Sequence, residues 1–144
     1  MTKTALFLVC GMALAGAAYT SVGAQTPATV NDGIYTTAQA DRGKKVYDDN
    51  CAGCHGPELK GTDTGGPTLN GPDFISGYKD GNASALYNKI SMDMPSNAPG
   101  SLNPDQYADV LAYVLSVNKY PAGQTEIPKD GAGLNAVKMA TPKA

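Results

Sequence analysis

Asn50-Cys-Ala-Gly-Cys-His-Gly56 holds two cysteines and the only histidine of a 144-residue chain. Cys51 and Cys54 are three residues apart, one turn of a helix, and His55 follows directly. The stretch therefore poses a chemical question: what do two thiols and one imidazole hold together?

Four answers compete. A structural disulfide needs only the cysteines. A thioredoxin-like redox pair is expected beside a βαβ pattern, which the chain lacks. Zinc usually takes four ligands, and no further Cys or His remains after residue 24. Covalent attachment of c-type haem uses all three residues: each thiol adds to a vinyl group as a thioether, and the adjacent histidine lies under the iron. Cys-x-x-Cys-His is the signature of that attachment. It is the reading favoured here, for one covalent haem, with disulfide or thiol chemistry as its rival.

The N-terminus sets the compartment. Lys3 precedes an apolar run, Ala5 to Ala18, and Val22-Gly23-Ala24 offers small residues for a signal peptidase. The run is about 14 residues, short of the roughly 20 that span a bilayer. Residues 1–24 are thus expected to be a cleaved secretory signal that directs the chain to the periplasm. Cys10 leaves with it. Without Lys3 the mature chain carries ten basic and thirteen acidic side chains. That balance has no basic cluster for nucleic acid and no segment for membrane insertion. Lys44, Lys45, Lys60, Lys79 and Lys89 are candidates for a local basic docking rim.

A haem iron held by His55 needs a sixth ligand, and no second histidine exists. A methionine thioether is the natural donor and raises the iron's potential. Met92, Met94 and Met139 are available. Met94 is favoured because Pro95 pushes it out of helical geometry, which turns its side chain across a loop. Met92 is expected to end the preceding helix, packed as core, and Met139 to lie in a polar tail.

Helical spacing places the scaffold. Ala38 to Asn50 reads as a helix with Thr37 as N-cap, and Gly43 within it predicts a close crossing. The partner is Pro104 to Val117, opened by Asn103, Pro104 and a capping-box Gln106. Gly43 and Tyr47 are expected to meet this helix near Val110 and Tyr113. A short helix runs to Ile90 from a cap at Asn82 or Ser84. Thr62 to Phe74 is punctuated by Gly and Pro and reads as a turn segment. The sequence beyond Tyr120 lacks periodicity, which leaves open a wrap over the domain or a mobile end.

Taken together, Cys-Ala-Gly-Cys-His, Gly43 with Tyr47, Gly66-Pro67-Thr68-Leu69, Met94-Pro95 and Ala112-Tyr113 resemble a class I monohaem cytochrome c over roughly residues 38 to 118. The resemblance implies an all-α fold, a few helices and loops around one haem c. It implies thioethers at Cys51 and Cys54, axial ligation by His55 and Met94, and a Pro67 carbonyl accepting a hydrogen bond from the proximal imidazole. Tyr78 is a candidate partner for a haem propionate. The organisation expected is a signal peptide over 1–24, an N-terminal extension over 25–36, a cytochrome c domain over 37–119 and a tail over 120–144. The implied function is a periplasmic carrier of single electrons with no catalytic residue. It takes electrons from a dehydrogenase and passes them to a respiratory oxidase. The stretch from Met94 to Gly123, with Glu126-Ile127-Pro128 after it, is also similar to cytochromes serving periplasmic quinoprotein alcohol dehydrogenases. That likeness supplies the alternative, a haem subunit of such a complex.

Overall fold

A computed structural model describes residues 27–63 and 65–143; the expected signal peptide lies outside them. Five helices follow in order: α1 (Thr37–Asn50), α2 (Ala52–His55), α3 (Gly71–Tyr78), α4 (Ala83–Asp93) and α5 (Pro104–Val117). Two 3-10 turns, Val30–Asp32 and Leu134–Ala136, stand outside this set. Among the described residues there is no strand, only isolated bridges of Lys138 to Thr29 and to Asn82. The fold is all-α. No described helix is long and apolar enough to cross a membrane.

The α1–α5 crossing organises the molecule. A Cβ on Gly43 would run into the Asp109 carbonyl and come within 3.0 Å of Tyr113 Cβ. Only glycine lets the two backbones approach this closely. Its cost within a helix, about 1 kcal/mol relative to alanine, is offset by the packing it allows. One turn on, Tyr47 is fully buried and its ring lies 5.3 Å from that of Tyr113, tilted by 59°. The crossing is where the helical spacing predicts it.

Helix starts follow local chemistry. Asn103 and Gln106 form the expected capping box, with bonds of 3.0 and 2.9 Å. At α1 the cap is Thr36 and not Thr37: the Thr36 hydroxyl accepts from the Gln39 N–H at 3.1 Å. Two consecutive threonines look alike in sequence, and the extended backbone of Thr36 decides between them. The Gly/Pro-rich turn segment ends at Asn70, because Gly71-Pro72 opens α3 and Phe74 is helical and buried. Proline suits a first helical turn, where its missing N–H has no partner to lose.

The tail wraps the domain. Ile127, Leu134, Val137 and Met139 are all buried. Gln39, itself buried, exchanges two hydrogen bonds with the Ile127 backbone, at 3.0 and 2.9 Å. Arg42 on α1 forks between Asp109 on α5 and Glu126 in the tail, with nitrogen–oxygen distances of 2.9 to 3.0 Å.

A candidate cofactor cavity

A cavity of about 310 Å³ opens between α2, α3, α4 and α5. Leu69, Phe74, Leu86, Ile90, Val110 and Val114 give it an apolar wall. Cys51, Cys54, His55, Pro67, Tyr78 and Met94 all reach it, so every residue singled out for the cofactor lines one space.

The histidine side is built from a short piece of chain. Cys51 to His55 coil into one helical turn, with the His55 N–H donating to the Cys51 carbonyl at 2.9 Å. Cys51 is half-buried and Cys54 exposed, and they are not joined to each other. Burial, with Cys54 close by, pushes the Cys51 thiol up to about 11. A thiol so reluctant to ionise is a poor exchange nucleophile, since the thiolate is the reactive form.

His55 is 8 % exposed. Its Nδ1 lies 2.8 Å from the Pro67 carbonyl oxygen. A carbonyl only accepts, so Nδ1 carries the proton and Nε2 keeps the lone pair that binds a metal. The ring rests against Gly66, where a Cβ would come within 2.5 Å of Cε1 and 2.6 Å of Nδ1. The loop that brings Gly66 and Pro67 here is pinned to the helical turn: Gly66 N–H donates to the Cys54 carbonyl at 2.9 Å, Gly61 N–H to the His55 carbonyl at 2.8 Å. Tyr47 OH donates to the Gly56 carbonyl at 2.7 Å. Asn118, buried at the end of α5, ties in the far side of the loop. It donates to the Leu69 carbonyl at 2.9 Å and accepts from the Gly71 N–H at 3.0 Å.

The methionine side is built from a helix end. Met94 is the C-cap of α4, with extended backbone (φ −121°, ψ 149°), as a residue before proline should be. Its carbonyl accepts from Tyr107 OH at 3.3 Å, and the Tyr107 hydroxyl oxygen in turn accepts from the Leu102 N–H at 3.2 Å. Met92 corrects an expectation. It is 70 % exposed and packs in no core, because α4 continues to Asp93 and carries Met92 on its outer face. Met139 is buried, contrary to its polar surroundings in sequence, yet it does not line the cavity.

Gly65, where a Cβ would come within 2.5 Å of the Cys54 carbonyl oxygen, Asn118 and Tyr107 were not legible as site residues, and Gly66 only as part of the Gly66-Pro67-Thr68-Leu69 pattern. The Gly65-Gly66 pair was the one available signal, since two glycines before Pro67 mark a close backbone approach. Tyr78 lines the cavity with its ring 5.2 Å from Phe74. Of the five lysines considered as a docking rim, Lys44, Lys60 and Lys89 are paired with Asp48, Glu58 and Asp93.

An apolar cavity that ends on a hydrogen-bonded imidazole with a free Nε2, beside two thiols one helical turn apart, fits a covalently attached porphyrin and its iron. The class defined by this fold and cavity is a small helical haem protein. Comparison with known proteins agrees: the cytochrome c family model matches residues 40–118, and the chain belongs to the cytochrome c family. The family carries covalently bound haem c and transfers electrons, and Cys51 and Cys54 lie at its attachment spacing. Over 40 residues the chain is 42% identical to the cbb3-type cytochrome c oxidase subunit CcoP of Azospirillum brasilense. That match covers 28% of this chain and 14% of the relative. The structure is similar to that of the sulfane dehydrogenase SoxCD from Paracoccus pantotrophus, with a TM-score of 0.52 and 21% identity. The similarity covers 79% of this chain and 60% of that one, and it bears on the fold alone.

Proposed function

We propose that the protein is an exported single-haem electron carrier whose iron is ligated by His55 Nε2 and the Met94 thioether, with thioethers at Cys51 and Cys54. One observation carries this reading: residues from three separate parts of the chain, the Cys51–His55 turn, the Pro67 loop and the end of α4, converge on one apolar cavity.

Bound haem supplies a one-electron Fe(III)/Fe(II) couple, and a Met/His ligand pair raises its potential. The chain's own residues do the rest. Pro67 fixes the imidazole tautomer and orientation through Nδ1 and strengthens Nε2 as a donor. The aliphatic wall excludes water, and low polarity favours the less charged iron. Tyr78, on the cavity lining, would hold a propionate. Cys54, Pro67, Ser96 and Asn97 are exposed where they border the cavity, with Asp73 and Lys89 the charged residues on its rim, so electrons would leave by an edge with few charges. With three rim lysines already paired, encounter with a redox partner depends little on long-range steering.

The donor is a dehydrogenase and the acceptor a respiratory oxidase, with the protein moving between them in the periplasm. Export rests on the signal-like sequence of residues 1–24. A free carrier is favoured over a subunit of a quinoprotein dehydrogenase complex because the tail, the segment available to dock to a larger partner, is folded onto its own domain.

The test is spectroscopy and mass. Purified holoprotein should show reversible reduction, a sulfur-to-iron charge-transfer band when oxidised, slow carbon monoxide binding when reduced, and a denatured mass that includes haem. It should elute as a monomer. A colourless protein with the mass of bare polypeptide overturns the haem assignment. Rapid carbon monoxide binding with no sulfur band overturns Met94 ligation.

A further inference from the structure

The family match ends at residues 40 and 118, yet chain on both sides of it is structured and meets at one place. Residues 137–139 thread between residues 28–30 and 81–83. Lys138 N–H donates to the Ala28 carbonyl at 2.9 Å, and Val30 N–H to the Lys138 carbonyl at 3.0 Å. On the other side, Ala83 N–H donates to the Val137 carbonyl at 2.8 Å, and Met139 N–H to the Gly81 carbonyl at 2.9 Å. The segments flanking the family match thus form a collar at the start of α4, the helix that ends in Met94.

The collar replaces the ordinary cap of that helix. The first N–H groups of a helix have no partner within it. Asn82 occupies the N-cap position, but its side chain makes no capping bond; the Val137 carbonyl takes up the Ala83 N–H instead. One turn further, Tyr87 OH donates to the Lys129 carbonyl at 2.5 Å. Gly131, at φ +66°, fits so close to the Tyr87 ring that a Cβ would lie 2.8 Å from it. Ala83, Leu86 and Tyr87 are buried, and α4 packs against the Leu134–Ala136 turn of the tail as well as α5.

An 11-residue helix is too short to persist without tertiary support, but once supported it is stiff. A shift at Ala83 is carried along it to Leu86 and Ile90 on the cavity wall and to Met94 at its end. The far end is held more lightly, by the 3.3 Å bond from Tyr107 to the Met94 carbonyl.

We propose that the collar, residues 28–30 and 129–139, is the positioning device for α4 and sets how firmly Met94 closes the iron's sixth site. This rests on the Met94 ligation proposed above. The collar residues touch no cofactor; they act through the helix.

The experiment uses full-length holoprotein and three variants. Val137→Asp places a carboxylate where the side chain is buried and unseats the tail, Val137→Ile keeps it seated, and Tyr87→Phe removes only the bond to Lys129. The readouts are the carbon monoxide association rate of the reduced protein, the sulfur-to-iron band of the oxidised protein and the midpoint potential. Val137→Asp is expected to bind carbon monoxide at least about tenfold faster, in proportion to the fraction of molecules with Met94 detached. It should also lose much of the band and move in potential towards Met94→Ala, while Val137→Ile matches the wild type. A folded Val137→Asp holoprotein with wild-type values of all three overturns the proposal. If that variant does not accumulate as folded holoprotein, Tyr87→Phe decides: about a twofold or greater rise in the association rate supports the collar's role, and an unchanged rate overturns it. A wild-type protein without the band refutes Met94 ligation itself, a result distinct from a wild type that has the band and collar variants that keep it.

Discussion

The two walls of the cavity are held by opposite means. The histidine wall is mainly local. Residues 51 to 71 fold back on themselves so tightly that Gly66 leaves no room for a methyl group beside the imidazole, and the bonds from Gly61, Gly66 and the His55 ring span a dozen residues or fewer, with Asn118 alone tying in from afar. The methionine wall is remote. Its helix packs on α5, is hydrogen-bonded at its start to the segments flanking the family match, and has at its end the bond from the Tyr107 hydroxyl to Met94. A wall made of close backbone contacts has one arrangement. A wall mounted on a helix can shift as a unit, and its firmness is set elsewhere. The difference teaches that the two proposed iron ligands should respond to different mutations.

The largest effect should come from the histidine wall's covalent anchor. Cys51→Ala with Cys54→Ala is expected to abolish covalent haem, leaving an apolar cavity that is poorly filled and a chain that folds poorly. Mass spectrometry and circular dichroism read both outcomes, and a well-folded colourless double variant would contradict them.

Next comes Met94→Ala, which should break only the other wall. It is expected to retain covalent haem while lowering the potential and admitting carbon monoxide. Met92→Ala, at an exposed site, should change neither. If the two results were exchanged, the ligand assignment is wrong.

Gly66→Ala sharpens the comparison further. Its methyl would press on the imidazole, and overpacking of this kind typically costs about 1–3 kcal/mol. The expected result is a lower melting temperature and a shifted potential with the sulfur band intact, because the methionine wall is untouched. Loss of the band would show that the two walls are coupled.

The smallest effect concerns the tail's ion pair. Hydrogen bonds from Arg42 hold the Glu126 carboxyl below its ordinary value. A carboxyl lowered in the folded state contributes stability above its unfolded pKa and loses it as pH falls through the folded one. Both partners are nearly half exposed, so the contribution is under about 1 kcal/mol. Thermal melts of wild type and Glu126→Gln should differ slightly at neutral pH and converge in acid, as the pH falls below the ordinary glutamate value and through the lowered folded one. A difference that persists in acid would mean Glu126 acts through packing and not charge.

Much of this was legible because it rests on short-range rules. Two cysteines one turn apart, a histidine beside them, a proline after Met94 and a capping box before α5 each express constraints between near neighbours in the chain. The α1–α5 crossing was legible too, since a glycine inside an otherwise regular helix marks a close approach. What escaped was long-range or ambiguous. Met92 and Met94 are two residues apart, and only the length of α4 decided that one faces solvent. Gly71-Pro72 reads equally as a turn or a helix start. The tail carries apolar residues at irregular intervals, as Ile127, Leu134, Val137 and Met139 do, and irregular spacing gives no period from which burial can be read.

The sequence by itself determined the haem-attachment pattern, because Cys51, Cys54 and His55 stand within five consecutive residues whose spacing fixes what they can reach. Tertiary structure alone decided that Gly66 seats the imidazole, that Asn118 and Tyr107 brace the two walls, and that residues 28–30 and 129–139 close over the start of α4. Those contacts join residues dozens of positions apart, and a hydrogen bond between distant backbone groups leaves no mark on the side chains that happen to carry it.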